Sequence, residues 1–99
     1  MNDWTKDDYP ENFDQLPQER QDALLDWIDS NLVPIQGFNA RHTSYGLKHL
    51  VHFENDEDSY FTNGKFKGAM LKAGYKVRNA SDLNWIFNVS QRSSLFTRK

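Results

Sequence analysis

Three histidines are the first side chains in this sequence whose type and spacing suggest chemistry. His49 and His52 stand at i and i+3, and His42 lies one heptad before His49. On a helix, an i, i+3 pair turns both rings to one side, a spacing that metal sites use when carboxylates, thiolates or further imidazoles complete the shell. The run Glu54-Asn55-Asp56-Glu57-Asp58 follows and would be the nearest source of a carboxylate. The run is not a calcium loop, because it lacks the alternating oxygen ligands, the central glycine and the closing glutamate. The absence of cysteine removes thiolate sites and disulfides. The histidines therefore read as surface or capping residues, and no metal and no cofactor is expected. Neither a Ser/His/Asp nor a Cys/His signature appears, and no glycine run could cradle a phosphate. The expectation is a protein that binds rather than an enzyme.

The cations carry more information. Between Thr62 and Gly74, Phe66, Ala69, Met70 and Ala73 repeat at i, i+3, i+4 and i+7, the spacing of an apolar helix face. That places Lys65, Gly68 and Lys72 on the opposite side, with Lys76 beyond them and Lys67 and Arg78 flanking the row. The glycine would let a polyanion approach closely. Arg92, Arg98 and Lys99 would add contacts from the tail. Such cations give salt-dependent, sequence-independent attraction to phosphates, so Lys65, Lys67, Lys72, Lys76, Arg78 and Arg92 form the candidate nucleic-acid surface. The competing reading is an ordinary solubilising lysine face.

Charge is divided unevenly along the chain. Residues 1–33 hold nine acids against Lys6 and Arg20, a balance of −7, and residues 34–99 hold ten cations against five acids, a balance of +5. The basic part points to an anionic partner such as DNA, or the two parts neutralise each other within one fold. The acidic part supports a second function of another class, a protein-interaction module that inhibits or adapts a host protein. Its candidate residues are Trp4, Tyr9 and Phe13, as aromatic anchors, with Asp22, Asp26 and Asp29. The same arm could instead cover the chain's own basic helix.

The elements that would position these residues follow from periodicity and punctuation. Residues 1–15 read as an acidic arm, docked through its rings or disordered, ahead of one helix-rich domain at 16–99. A first helix at 17–31 starts at Pro17, buries Leu24 and Ile28, and stops before Pro34. A second at 44–54 is capped by Thr43 or Ser44, and a third at 63–73 is capped by Thr62 and closed by Gly74 in a left-handed conformation. Asn63-Gly64 is also a type I′ hairpin signal, but the periodicity through Ala73 favours the helix. Tyr75–Arg78 and Asn84–Ser90 would pair as a two-stranded hairpin. The expected fold is α+β, three helices with a C-terminal hairpin, resembling a helix-turn-helix or winged helix. Its core would hold Leu24, Ile28, Leu47, Leu50, Val51, Phe66, Met70, Tyr75, Trp85 and Phe87. No apolar run approaches the roughly 18 residues of a membrane span, so a cytoplasmic location, without membrane contact, is the default expectation. Oligomeric state is not legible.

Two segments carry a resemblance: Ser44-Tyr45-Gly46-Leu47-Lys48-His49, and the stretch TNGKFKGAMLKAGY from Thr62 to Tyr75. Together they resemble a family of small, uncharacterised proteins of bacteriophages and other mobile elements of Gram-positive bacteria, over roughly Arg41 to Ser90. The resemblance implies a setting in a bacterial host cell and no particular activity. More loosely, the element order resembles winged-helix modules of phage primases, with Phe66 and Gly74-Tyr75 marking the second helix of such a unit. The gap of about eight residues between the second and third expected helices departs from the 3–4-residue turn of helix-turn-helix units.

Overall fold

The computed structural model describes residues 3–55 and 57–97. Met1, Asn2, Asp56, Arg98 and Lys99 lie outside them, and with them the phosphate contacts expected of Arg98 and Lys99 and the middle of the acidic run. Two 3₁₀ turns, Lys6–Asp8 and Pro10–Gln15, come first. Among the described residues four α-helices follow: α1 Gln18–Asn31, α2 Ser44–Lys48, α3 Asn63–Lys72 and the single turn α4 Ser94–Thr97.

The caps read from the sequence are present. Thr43 Oγ1 accepts the Gly46 amide of α2 and Thr62 Oγ1 accepts the Lys65 amide of α3, both at 3.3 Å, each pairing an amide that a helix start leaves without a partner. Gly74 takes φ +95° just past α3, where any side chain would be strained. Thr5 and Asp8 close a capping box around the first 3₁₀ turn.

Helix α3 is the centre of the molecule rather than a face of it. Phe66, Ala69 and Met70 point into the core, but Asn63, Gly64, Lys67 and Gly68 are buried too. What covers this second side is the N-terminal arm. A Cβ at Gly64 would stand 2.3 Å from the Tyr9 carbonyl oxygen, and one at Gly68 2.2 Å from that of Pro10. The two glycines thus form a trough that only backbone-close packing can fill, and Phe13 anchors the arm in the core beside it. Gly68 serves the arm and not a polyanion.

Helix α2 is shorter than the expected 44–54. After Lys48 the bonds tighten to Leu50 N–H to Leu47 and Val51 N–H to Lys48, the i→i+3 pattern that ends helices. The chain then runs extended, with the Phe53 amide donating to Ser59 Oγ at 2.9 Å. Val51 is buried and His52 exposed as a result. Leu50, expected in the core, is instead 45% exposed. Phe61, which the sequence reading left out, fills the interior with Phe53 edge-on against it at 5.9 Å. Arg20 fastens α1 over this corner, its guanidinium 4.4 Å from the Phe61 ring centroid and donating to the Asp58 carbonyl.

The expected hairpin, and with it the α+β, helix-turn-helix and winged-helix class, is not what the chain adopts. Among the described residues there is no strand, only isolated antiparallel bridges at Val77–Phe87 and Pro34–Val89. The segment 86–90 does lie beside 76–78, but on its other side it meets 33–39, where Ser90 N–H donates to Val33 and Ile35 N–H to Asn88. The Asn88 side chain takes places a ladder would use, accepting the Lys76 amide at 2.7 Å and donating to the Ile35 carbonyl at 3.0 Å. Backbone pairing is thereby satisfied by a mixture of side-chain and single-bridge bonds, and no register propagates.

Candidate functional site

The most unusual side chain is Lys67. It is fully buried, with its ammonium 3.7 Å from the ring centroid of Trp4 and 4.7 Å from that of Trp85, and it donates to the Asp8 carbonyl at 3.1 Å. The negative faces of two indoles and one carbonyl replace much of its hydration. Burial still dominates, and lowers its pKa from 10.5 to about 8, against the pull of the Asp8 carboxylate. Burial would by itself raise the Asp8 carboxyl, but hydrogen bonds from Thr5 and Asn63, with the charge of Lys67, leave it below the usual range.

Next to this box runs a buried polar chain. Ser44 Oγ donates to Asn63 Oδ1 at 2.7 Å and accepts the Trp85 amide at 2.9 Å, and Asn63 Nδ2 reaches Asp8 Oδ1, the Leu83 carbonyl and Asn84 Oδ1 at 3.1–3.2 Å. Such buried polar groups fix one arrangement because each alternative leaves a group without its partner. Ser44, Asn63 and Lys67 fall in the two segments that carry the resemblance, so those segments meet in space around this network.

Lys67 is therefore removed from the expected phosphate-binding row, because its ammonium faces rings inside the fold. Lys65 is partly covered, while Lys72, Lys76, Arg78 and Arg92 are exposed. Lys72 lines one groove with Glu11 and Asp14 and another with Asp26 and Asp29, so its charge stands among carboxylates. Of the aromatic anchors of the alternative reading, Tyr9 stays exposed but the other two are engaged within the fold. Phe13 is in the core, and Trp4 packs on Lys67 and, 5.0 Å away, on Tyr9. The expected acidic face of α1 is real: Asp22, Asp26 and Asp29 are all exposed.

Comparison with protein-family models, with curated proteins and with solved structures finds no match to this chain. The site must be read from its own geometry.

The histidines do not converge. The His42 ring stacks on Phe96 at 3.9 Å and meets Gln91 Oε1 at 3.0 Å, while His49 stands edge-on to Tyr45. Among the described residues no group of three or more His, Asp or Glu side chains is arranged to hold a metal ion. No helix among them is long and apolar enough to cross a membrane.

A concavity of about 730 Å³ lies between α1, residues 50–55 and 57, and α4. Trp27, Leu50, Phe53 and Leu95 supply its apolar surface, and Asp26, Glu54 and Glu57 its charge. The sequence reading recognised the carboxylates of α1 but missed the groove, because Leu50 and Phe53 were assigned to a helix. The alternation Val51-His52-Phe53-Glu54 was the available signal.

Proposed function

We propose that this chain is a protein-interaction module whose groove between α1, residues 50–55 and 57, and α4 receives a basic, amphipathic segment of another protein. The observation that carries this reading is the combination, in one groove, of an apolar lining with three carboxylates. An exposed Leu50 beside half-buried Phe53 and Leu95 offers area that a partner's apolar face can cover. Asp26 and Glu54, with Asp22 and Asp29 on the same helix as Asp26, steer a cationic partner and penalise an anionic one, while Glu57 is already paired with Arg20. In the phage or mobile-element setting that the resemblance implies, the partner would be a host protein, and the module its inhibitor or adaptor. The groove rather than the arm offers the interaction surface, because the arm packs on α3 with Phe13 in the core.

The test is a fluorescence-anisotropy titration with a labelled Leu/Lys amphipathic helix and its Leu/Glu counterpart. The basic peptide is expected to bind at least about tenfold more tightly, with affinity falling as salt rises. Leu50→Asp and the charge reversal Glu54→Lys should each remove that preference. Equal binding of both peptides, or of neither, would sink the reading.

A second reading, nucleic-acid binding, is supported by the exposure of Lys76, Arg78 and Arg92. It now rests on surface cations alone, because α3 is covered and cannot enter a groove. Titration with duplex and single-stranded DNA at low salt separates the two: phosphate contacts would give a steep salt slope, reduced by Arg78→Gln and unaffected by Leu50→Asp.

A further inference from the structure

A second, smaller cleft of about 300 Å³ opens on the other side of the polar network, where α2, the first 3₁₀ turn and residues 60–63 and 83–84 come together. Tyr45 and Tyr60 flank it and are 52% and 63% exposed, unusual for rings of that size. Between them lies Lys48, 7% exposed, its ammonium 5.0 Å from the Tyr45 ring centroid and 4.9 Å from that of Tyr60. Unlike Lys67, it has no oxygen acceptor among the described residues, where the ion pair within 4.0 Å is that of Arg20 with Glu57. The rings stabilise its charge in part, and its ammonium reaches solvent at the cleft rather than being sealed among unpartnered atoms. Desolvation nonetheless lowers its pKa.

The same cleft is lined by Asp7 and Asp8. Asp8 is occupied by Thr5 and Asn63. Asp7 is exposed, and its carboxylate makes no hydrogen bond or ion pair within the described residues. Lys48 and Asp7 thus both line the cleft without pairing with each other, and the two tyrosine rings lie close to Lys48. A simple anion entering it would meet Lys48 but also two carboxylates. A simple cation would meet Asp7 but also the ammonium of Lys48. A ligand with both charges satisfies both groups and is opposed by neither.

We infer that the Tyr45–Lys48–Tyr60 cleft binds a small zwitterion, an α-amino acid with an aromatic or large apolar side chain, whose carboxylate meets Lys48 and whose ammonium meets Asp7. Its side chain packs on the tyrosine rings, and a cleft of this volume is at the small end of ligand pockets. The inference is independent of the peptide groove, which lies on other elements.

Three probes decide it: L-phenylalanine, 3-phenylpropanoate, which lacks the ammonium, and phenethylamine, which lacks the carboxylate. Titrated into the ¹⁵N-labelled full chain, L-phenylalanine should shift the amides of Lys48, Tyr60 and Asn84 in a saturable way. Each one-charge analogue should bind about tenfold more weakly. The exposed substitution Asp7→Asn should weaken L-phenylalanine to the level of phenylpropanoate and leave phenylpropanoate unchanged. Lys48→Met should do the same towards phenethylamine, with Tyr60→Ala, also on the surface, as the variant that keeps the test open if Lys48→Met does not fold. Absence of saturable shifts at millimolar L-phenylalanine overturns the inference. So does phenylpropanoate binding as tightly as the amino acid, which would mark a plain anion site.

Discussion

At the scale of single residues, two buried titratable groups set opposite pH dependences. Lys67 releases its proton near pH 8 in the folded chain and near 10.5 when unfolded. Between those values the unfolded chain holds the extra proton, so stability rises with pH. Tyr75 is raised from 10.0 to about 12, by burial first and the Asp29 carboxylate second. Its neutral phenol stabilises the fold below pH 10, and that contribution is lost as pH climbs towards 12. The urea midpoint is therefore expected to climb between about pH 8 and 10 and then to fall. Lys67→Met should flatten the climb, and Tyr75→Phe should remove part of the fall. A wild-type midpoint that declines steadily from pH 8 would contradict the position of Lys67 between its two indoles.

At the scale of elements, the trough on α3 reverses an ordinary rule. Replacing a mid-helix glycine by alanine usually stabilises a helix, by about 0.5–1 kcal/mol. At Gly68 the new methyl would stand 2.5 Å from Phe13 Cβ and closer still to the Pro10 carbonyl oxygen, and neither backbone can yield without moving the arm. Gly68→Ala is expected to destabilise by about 1–3 kcal/mol, measured by urea denaturation. The corner after α2 supplies a matched pair. Phe61→Ala opens a cavity in the interior and should cost about 3–5 kcal/mol, whereas Leu50→Ala on the surface should stay within about 0.5 kcal/mol of wild type. Had Leu50 belonged to a helix continuing to residue 54, it would rank with Phe61.

At the scale of the molecule, the arm is part of the folded unit. It covers Gly64 and Gly68, places Phe13 in the core and supplies both Trp4 and the Asp8 carbonyl to Lys67. Removing residues 1–15 is expected to cost at least about 3 kcal/mol, the order of one large aromatic lost from a core, and to broaden near-ultraviolet circular dichroism. It would also bare the face of α3 that holds Lys67, so any surviving folded fraction should bind polyanions more tightly than the intact chain. An arm that can be deleted without loss of stability would contradict the packing described. Among the described residues the surplus charges of the two halves form no ion pair with each other; the pair present, Arg20 with Glu57 at 4.0 Å, joins a cation of the acidic half to a carboxylate of the basic half. Stability should accordingly respond weakly to added salt, while peptide capture by the groove should respond strongly.

Local rules determined what local chemistry can decide. The span of α1, both ends of α3, the caps at Thr43 and Thr62 and the left-handed Gly74 were all legible, because capping, proline and glycine act within a few residues. Most of the expected core proved buried for the same reason, as helical periodicity picks out one face. Periodicity could not tell which element would cover the other face of α3. Gly64 and Gly68 look alike whether they admit a phosphate backbone or a polypeptide one, and Lys67 reads as a surface cation until Trp4 and Trp85 close over it. The missing hairpin is a failure of the same kind. An alternating pattern licenses a strand, but ladder formation depends on a partner in register, and here Asn88 and the segment 33–39 take the bonds instead. Only the tertiary structure decided those contacts, because they join residues 12 positions apart for Lys76 and Asn88, 53 for Ile35 and Asn88 and 59 for Asp8 and Lys67, beyond the reach of any sequence pattern that repeats every two to four residues.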